Sequence, residues 1–329
     1  MDPLFPGLLF GPETAARLVR MADVDLDHVV TDFTDPGDPT LDSVLRSTEV
    51  LLTCWGCPPL TEAVLARMPR LKAVVHAAGS VKGLVGASAW ARGLAVSSGA
   101  EMNGRPVAEY TLAAILMANK RVLPIARTFR EERRPLPLHT MLADAGNFRR
   151  TVGIVGASRV GRRVIELLRP FDLHVLLYDP YLGESDAAAL GAERVGLDDL
   201  VRRSDVVSIH APETPETYHQ FDARRLALLR DGTTLINTAR GSLVDTAALT
   251  RELESGRIHA VIDVTEPDRL PEDSALYDLP NVLLTPHMAG SFGGELHRLG
   301  VSAVDEVDRY AHGLPFRYAV EPALLTRSA

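Results

Sequence analysis

Short apolar runs separated by amphipathic stretches recur along this chain, and their spacing predicts alternating strands and helices. In the first hundred residues, 50–53, 71–76 and 94–97 read as strands, and 60–68 as a helix with Thr61 as its N-cap. An apolar-rich helix is predicted over 107–123, with Pro106 at its start, where a missing N–H is tolerated. Residues 120–150 are rich in Arg, Pro and polar side chains and read as a helix and a loop. From 151 to 288 strand and helix repeat, with later strands at 206–210, 234–237, 259–263 and 282–285. A last amphipathic helix, 295–312, ends at Gly313. The alternation predicts an α/β protein with parallel, doubly wound sheets.

The most informative stretch is 151–180. The apolar run Val152, Ile154, Val155 ends in a glycine turn, an amphipathic helix follows, and the run Val175, Leu176, Leu177 ends at Asp179. The turn reads Gly156-Ala157-Ser158-Arg159-Val160-Gly161, a G-x-S-x-x-G variant of the dinucleotide fingerprint. Ser158, Arg159 and Val160 open a helix whose free N–H groups and dipole favour a pyrophosphate. Serine at the second position puts a Cβ where the fingerprint has none, and its hydroxyl could donate to a phosphate oxygen. Asp179 lies 18 residues beyond Gly161, near the spacing at which a carboxylate accepts from an adenosine ribose. It would repel a 2′-phosphate, and residues 180–189 hold no Lys or Arg to offset it. The cofactor is therefore expected to be NAD rather than NADP.

The 329 residues allow two domains. A net charge of −8 argues against nucleic acid or an anionic membrane as a main partner. No apolar run approaches the roughly 20 residues that span a bilayer. The opening MDPLFPGLLFGPE has no basic residue before its apolar run, unlike a signal peptide. A cytoplasmic location is expected. Cys54 and Cys57 form a C-x-x-C, but Pro58 and Pro59 follow where a redox pair would want a helix. Two cysteines cannot close a structural zinc site, and no metal is expected. The spacing reads as coincidence.

Three later segments place polar residues at the C-terminal ends of predicted strands, the edge where open α/β sheets bind ligands. They are I-N-T-A-R-G ending at Arg240 and Gly241, A-V-I-D-V-T-E-P-D over 260–268, and L-T-P-H-M-A-G over 284–290. With N-T-A-R-G-S-L-V-D, H-A-P-E-T-P-E-T-Y-H over 210–219, and Asn103 followed by V-A-E, the chain resembles the D-isomer-specific 2-hydroxyacid dehydrogenases along nearly its whole length.

The resemblance implies a discontinuous substrate domain, 1–98 plus 291–329, of smaller, flavodoxin-like doubly wound form, and a Rossmann cofactor domain over 99–290, with the active site in the cleft between them. It implies reversible reduction of a small 2-oxo acid with NADH, and a homodimer through the cofactor domain. Arg240 would grip the substrate carboxylate with its planar fork. Backbone N–H groups of Gly79, Ser80 and Val81 would bind the same carboxylate, and Trp55 would close the pocket. His287 would exchange a proton with the substrate oxygen. His210, Ala211, Pro212 and Thr217, with Thr238, Ala239 and Gly290, would line the cofactor, and Asp263 would place its carboxamide.

One position departs from the family. A glutamate usually follows Asp263 by five residues and pairs with the histidine; here that residue is Asp268, one methylene shorter. Asp268 is expected to hold His287, with Glu266 as the other nearby carboxylate. A dehydrogenase for formate or phosphite, or an NAD-sensing corepressor-like binding protein, shares these motifs and is the alternative. Lys82 could meet a second anionic group on the substrate.

Overall fold

The computed structural model describes residues 1–35 and 40–327, so residues 36–39 and 328–329 of the expected first domain lie outside the description. The chain divides into two compact units, Met1–Gly104 with Ser291–Thr326, and Arg105–Gly290. Among the described residues no helix is long and apolar enough to cross a membrane.

The first unit holds the parallel strands β1 (Val50–Thr53), β2 (Ala73–His76) and β3 (Ala95–Ser98), in the order β1-β2-β3. Successive β2 side chains point to opposite faces. Val74 joins one apolar cluster with Leu41, Val64 and Ala89, and Val75 joins another with Leu9, Leu18 and Leu299. Helices therefore cover both faces, as a parallel sheet requires. Glu62–Arg67 is a helix as expected, and Thr61 caps it by accepting the Val64 N–H at 3.3 Å.

The second unit is a seven-stranded parallel sheet: β4 (Thr151–Val155), β5 (His174–Tyr178), β6 (Glu193–Arg194), β7 (Val206–Ile209), β8 (Thr234–Asn237), β9 (His259–Ile262) and β10 (Val282–Leu284). Their order is β10-β9-β8-β7-β4-β5-β6. The alternation of side chains again sorts the core. Val152, Ile154, Ile236 and Val261 pack on one face, and Val155, Leu235, Ala260 and Ile262 on the other. The strand order reverses between β4 and β7, so a crevice opens at their C-terminal ends.

Two expectations are corrected. The helix predicted over 107–123 runs from Ala100 to Asn119, with Pro106 inside it. Ser98 Oγ accepts the Ala100 N–H at 3.1 Å and the Gly99 carbonyl accepts the Asn103 N–H, which starts the helix earlier than the proline signal indicates. Pro106 removes only one bond of the ladder, that to the Met102 carbonyl. The helix begins in the first unit and ends in the second, and the division falls after Gly104 rather than after Ser98. The two-residue strand β6 is too short for periodicity to reveal.

Candidate active site

At the crevice, β4 runs into a turn at Gly156, whose φ is +99°. A Cβ there would lie 2.7 Å from the Ala211 N, and one at Gly161 would lie 2.0 Å from the Gly156 carbonyl oxygen. Only glycine lets these backbones approach. Ser158 is different. Its φ of −64° and ψ of 177° suit any residue, and its Oγ accepts the Gly161 N–H at 3.2 Å as the N-cap of the helix Arg159–Leu168. The hydroxyl proton is not used by that bond. Arg159 is exposed and Val160 half-buried at the helix start.

Asp179 stands at the tip of β5 and closes the same turn. Its Oδ2 accepts the Ala157 N–H at 2.7 Å and its Oδ1 the Tyr181 N–H at 2.9 Å. Across the crevice His210 is buried, and loss of solvation pushes its pKa down to about 3. The neutral ring shares a hydrogen bond of 2.9 Å with Ser208 Oγ. Ala211 is buried against Gly156. The Thr217 hydroxyl donates to the Pro212 carbonyl at 2.7 Å and accepts the Thr214 N–H at 2.9 Å, so it closes its own loop.

β8 ends in a turn built by Asn237. Its amide donates to the Arg240 carbonyl at 2.8 Å and its oxygen accepts the Ala239 N–H at 3.1 Å. Thr238 is buried, and its Oγ1 lies 3.1 Å from Oγ1 of Thr111, on the helix Ala100–Asn119. Arg240 is half-buried and, among the described residues, donates once, to the Ala239 carbonyl at 2.6 Å, which leaves most of its five donors for a ligand.

The next strand carries the organising carboxylate. Asp263, 2% exposed, accepts the Met288 N–H (2.8 Å) and the Thr285 hydroxyl (2.7 Å) at Oδ1, and the Ala289 N–H (2.9 Å) at Oδ2. Its carbonyl accepts the His287 N–H at 2.8 Å. Because Thr285 gives its proton to Asp263, the Tyr110 hydroxyl 3.0 Å away must donate to Thr285. Burial, with a smaller contribution from the Asp263 charge, raises the Tyr110 pKa and keeps that proton on. Thus the carboxylate expected at the carboxamide is spent on the loop 285–289. That loop holds His287 exposed and at φ +54°, a left-handed conformation that few residue types adopt readily. Gly290, half-buried, ends it.

Asp268 and His287 line one cavity of about 580 Å³, with Arg269, Tyr277 and Thr285. Asp268 is exposed, and no hydrogen bond joins its carboxylate to His287 among the described residues. Glu266 is already engaged, its Oε2 lying 2.9 Å from His219 Nε2. Of the two nearby carboxylates, Asp268 is the one left facing the cavity of His287.

In the first unit, the loop after β2 carries Gly79 and Ser80, half-buried, and Val81, buried. Their three N–H groups meet no acceptor among the described residues, the condition an anion-binding loop requires. The Trp55 ring packs 5.3 Å from Phe5, and its carbonyl accepts the Asp2 N–H. Cys54 donates to the Ala77 carbonyl, and burial pushes its thiol up to about 12; Cys57 is raised for the same reason. Neither thiol suits a redox pair.

A sequence model described as "D-isomer specific 2-hydroxyacid dehydrogenase, NAD binding domain" matches residues 112–289. The chain belongs to the D-isomer specific 2-hydroxyacid dehydrogenase family. The matched segment, which carries the Gly156 turn, is that family's NAD-binding domain. The D-3-phosphoglycerate dehydrogenase of Mycobacterium tuberculosis is 36% identical over 251 residues, 74% of this chain and 46% of that protein. The chain thus spans about half the length of the curated phosphoglycerate dehydrogenases it matches. The glyoxylate reductase of Aeropyrum pernix is 31% identical over 325 residues, 96% of this chain and 93% of that protein. Among solved structures, the TT0316 protein from Thermus thermophilus superposes with a TM-score of 0.76 at 28% identity, over 95% of this chain and 97% of that one.

The strand-end residues of this family are legible in the chain, whereas those that hold them in place are less so. Asn237 had a signal, since an asparagine two residues before a backbone N–H commonly forms such a turn. Tyr110, Thr285 and the His219–Glu266 pair had none, because their partners lie between 22 and 175 residues away in the chain.

Proposed function

We propose that the protein is an NAD-dependent oxidoreductase that reduces a small 2-oxo acid to its D-2-hydroxy acid, and catalyses the reverse. The observation that carries this reading is the arrangement at three adjacent strands. Arg240 follows β8, Asp263 follows β9, and His287 follows β10 on a loop that Asp263 ties down.

Arg240 presents a fixed positive fork to the substrate carboxylate. The N–H groups of Gly79, Ser80 and Val81 are assigned to an anionic ligand group. NADH, when bound, supplies the hydride. His287, protonated, gives its proton to the carbonyl oxygen as that oxygen gains charge, and takes it back in the oxidative direction. Asp268 stabilises the protonated ring. The Gly156 turn and the helix behind it fit the pyrophosphate, and Asp179 the ribose. Reduction thus consumes one hydride and one proton and yields the hydroxy acid and NAD⁺.

Two further assignments belong to this reading. The helix Val122–Glu132 is amphipathic yet buries none of its residues, and Phe129 is 56% exposed. A second copy of this chain is the assigned cover, giving a homodimer through the second unit. The cytoplasm is the assigned location.

The test follows NADH oxidation by absorbance against glyoxylate, hydroxypyruvate, pyruvate and bulkier 2-oxo acids, with Arg240→Ala and His287→Ala alongside. Turnover of one acid that both variants lose is expected. NADH binding without turnover of any acid would overturn the reading in favour of a nucleotide-sensing role.

A further inference from the structure

The pair formed by His219 and Glu266 takes no part in the chemistry assigned above. We propose that it is a positioning device that fixes the segment carrying Asp268, so that the Asp268 carboxylate faces His287. The proposal rests on the oxidoreductase reading.

The imidazole is fixed from several directions. His219 Nε2 lies 2.9 Å from Glu266 Oε2. The Tyr218 ring stacks on it at 4.0 Å and 15°. Its backbone, at φ +46°, donates N–H to the Ser242 carbonyl at 2.7 Å. Both side chains of the pair remain about one-third exposed, His219 at 34% and Glu266 at 37%. A partly exposed side-chain contact of this kind contributes little to stability, whereas a left-handed backbone at a residue other than glycine is unfavourable. The side-chain contact is thus poorly explained by stability alone, and its place beside the Asp268 segment points to a positional role.

Glu266 is the residue through which position would be passed on. Its carbonyl accepts the Thr246 hydroxyl at 2.8 Å. Gly241, next to Arg240, lies so close to this strand of backbone that a Cβ would sit 2.0 Å from the Thr265 oxygen. The Thr265 hydroxyl donates to the Pro267 carbonyl at 2.8 Å. The segment 265–267 is therefore anchored by side chain and backbone, and Asp268 follows directly, on the rim of the cavity that His287 also lines.

The test compares pH profiles of kcat/KM for NADH-dependent reduction of glyoxylate, hydroxypyruvate and pyruvate in wild type, Asp268→Asn, Glu266→Ala, Glu266→Gln and His219→Asn. Asparagine tolerates the left-handed backbone but is too short to reach Glu266, so that variant removes the contact and spares the turn. Glu266→Ala and His219→Asn are expected to lower kcat about tenfold, the scale of a misplacement below 1 Å, with KM for NADH held within about twofold. Both should move the basic limb to lower pH, in the direction of Asp268→Asn. Glu266→Gln, which still accepts from the ring, should keep the limb in place. Adding Glu266→Ala to Asp268→Asn should move it no further. If Asp268→Asn moves the limb and the other two variants do not, the proposal falls while the catalytic reading stands. If Glu266→Gln behaves as Glu266→Ala, the effect is one of charge and the proposal also falls. If Asp268→Asn leaves the limb unmoved, Asp268 is not the partner of His287 and the proposal falls with it; loss of turnover in Arg240→Ala then still supports the oxidoreductase.

Discussion

Asp263 and Ala289 are joined by a hydrogen bond of 2.9 Å, from the Ala289 N–H to Asp263 Oδ2, across the loop that displays His287. With the Met288 N–H and the Thr285 hydroxyl at Oδ1, three donors converge on one buried carboxylate. Asp263→Asn would turn one acceptor into a donor facing a donor. We expect about 1–3 kcal/mol of lost stability, the cost of an unpaired buried group, and a fall in kcat from the misplaced histidine. Urea unfolding and steady-state kinetics check this together. A variant of wild-type kcat would show that the loop holds itself.

Two buried histidines give the fold a dependence on acid. Burial holds the His210 pKa at about 3 and the His76 pKa at about 4, against about 6.5 when unfolded. Both rings are neutral in the fold, so the unfolded chain binds more protons below pH 6.5. Stability is then full above that pH and declines as pH falls toward 4, by up to about 1.4 kcal/mol per pH unit for each group. Urea midpoints at pH 7.5 and 5.0 should differ, and the difference should shrink in His76→Gln and His210→Gln. An undiminished difference in both variants would assign the decline to other groups.

The fixed carboxylate of Asp179 predicts the cofactor preference. Its oxygens are tied to Ala157 and Tyr181, so it cannot swing away from a 2′-phosphate. Asp179→Asn keeps an acceptor for Ala157 and removes the charge. The preference for NADH over NADPH, as a ratio of kcat/KM, should narrow by about tenfold or more, since like charges in contact cost several kcal/mol. An unchanged ratio would place the discrimination elsewhere.

Gly241→Ala tests the close approach of the Arg240 turn to the segment 265–266. The added methyl would meet the Thr265 carbonyl, and backbone on both sides must shift. Overpacking of this kind costs about 1–3 kcal/mol or more. A lower melting temperature and a raised KM for the 2-oxo acid are expected. A fully active variant would mean that the two segments separate readily.

Much of the second unit could be read from the chain because its signals are local. The strand 234–237 has the same bounds in sequence and structure, and the glycine turn, Arg240 and His287 each sit at a strand end that periodicity marks. The helix 100–119 starts earlier than the sequence indicates because Pro106 imitates a helix start, while Ser98, whose Oγ accepts the Ala100 N–H, directly follows a predicted strand. The use of Asp263 was also hidden. A carboxylate at a strand end suits a ligand and a loop equally well, and only the fold brings Met288 and Ala289 to it. Likewise His219 and Glu266 are 47 residues apart, and nothing local to either announces the other.

Ser158 has a consequence for how such sites are found in other chains. At φ −64° the second place of the fingerprint does not require glycine; a small residue that leaves the phosphate side open fits it, and one that can receive the Gly161 amide proton also caps the helix. A search written in backbone torsions and lone pairs would admit serine, threonine and asparagine there. A search written in letters passes them over and undercounts the proteins that hold dinucleotides this way.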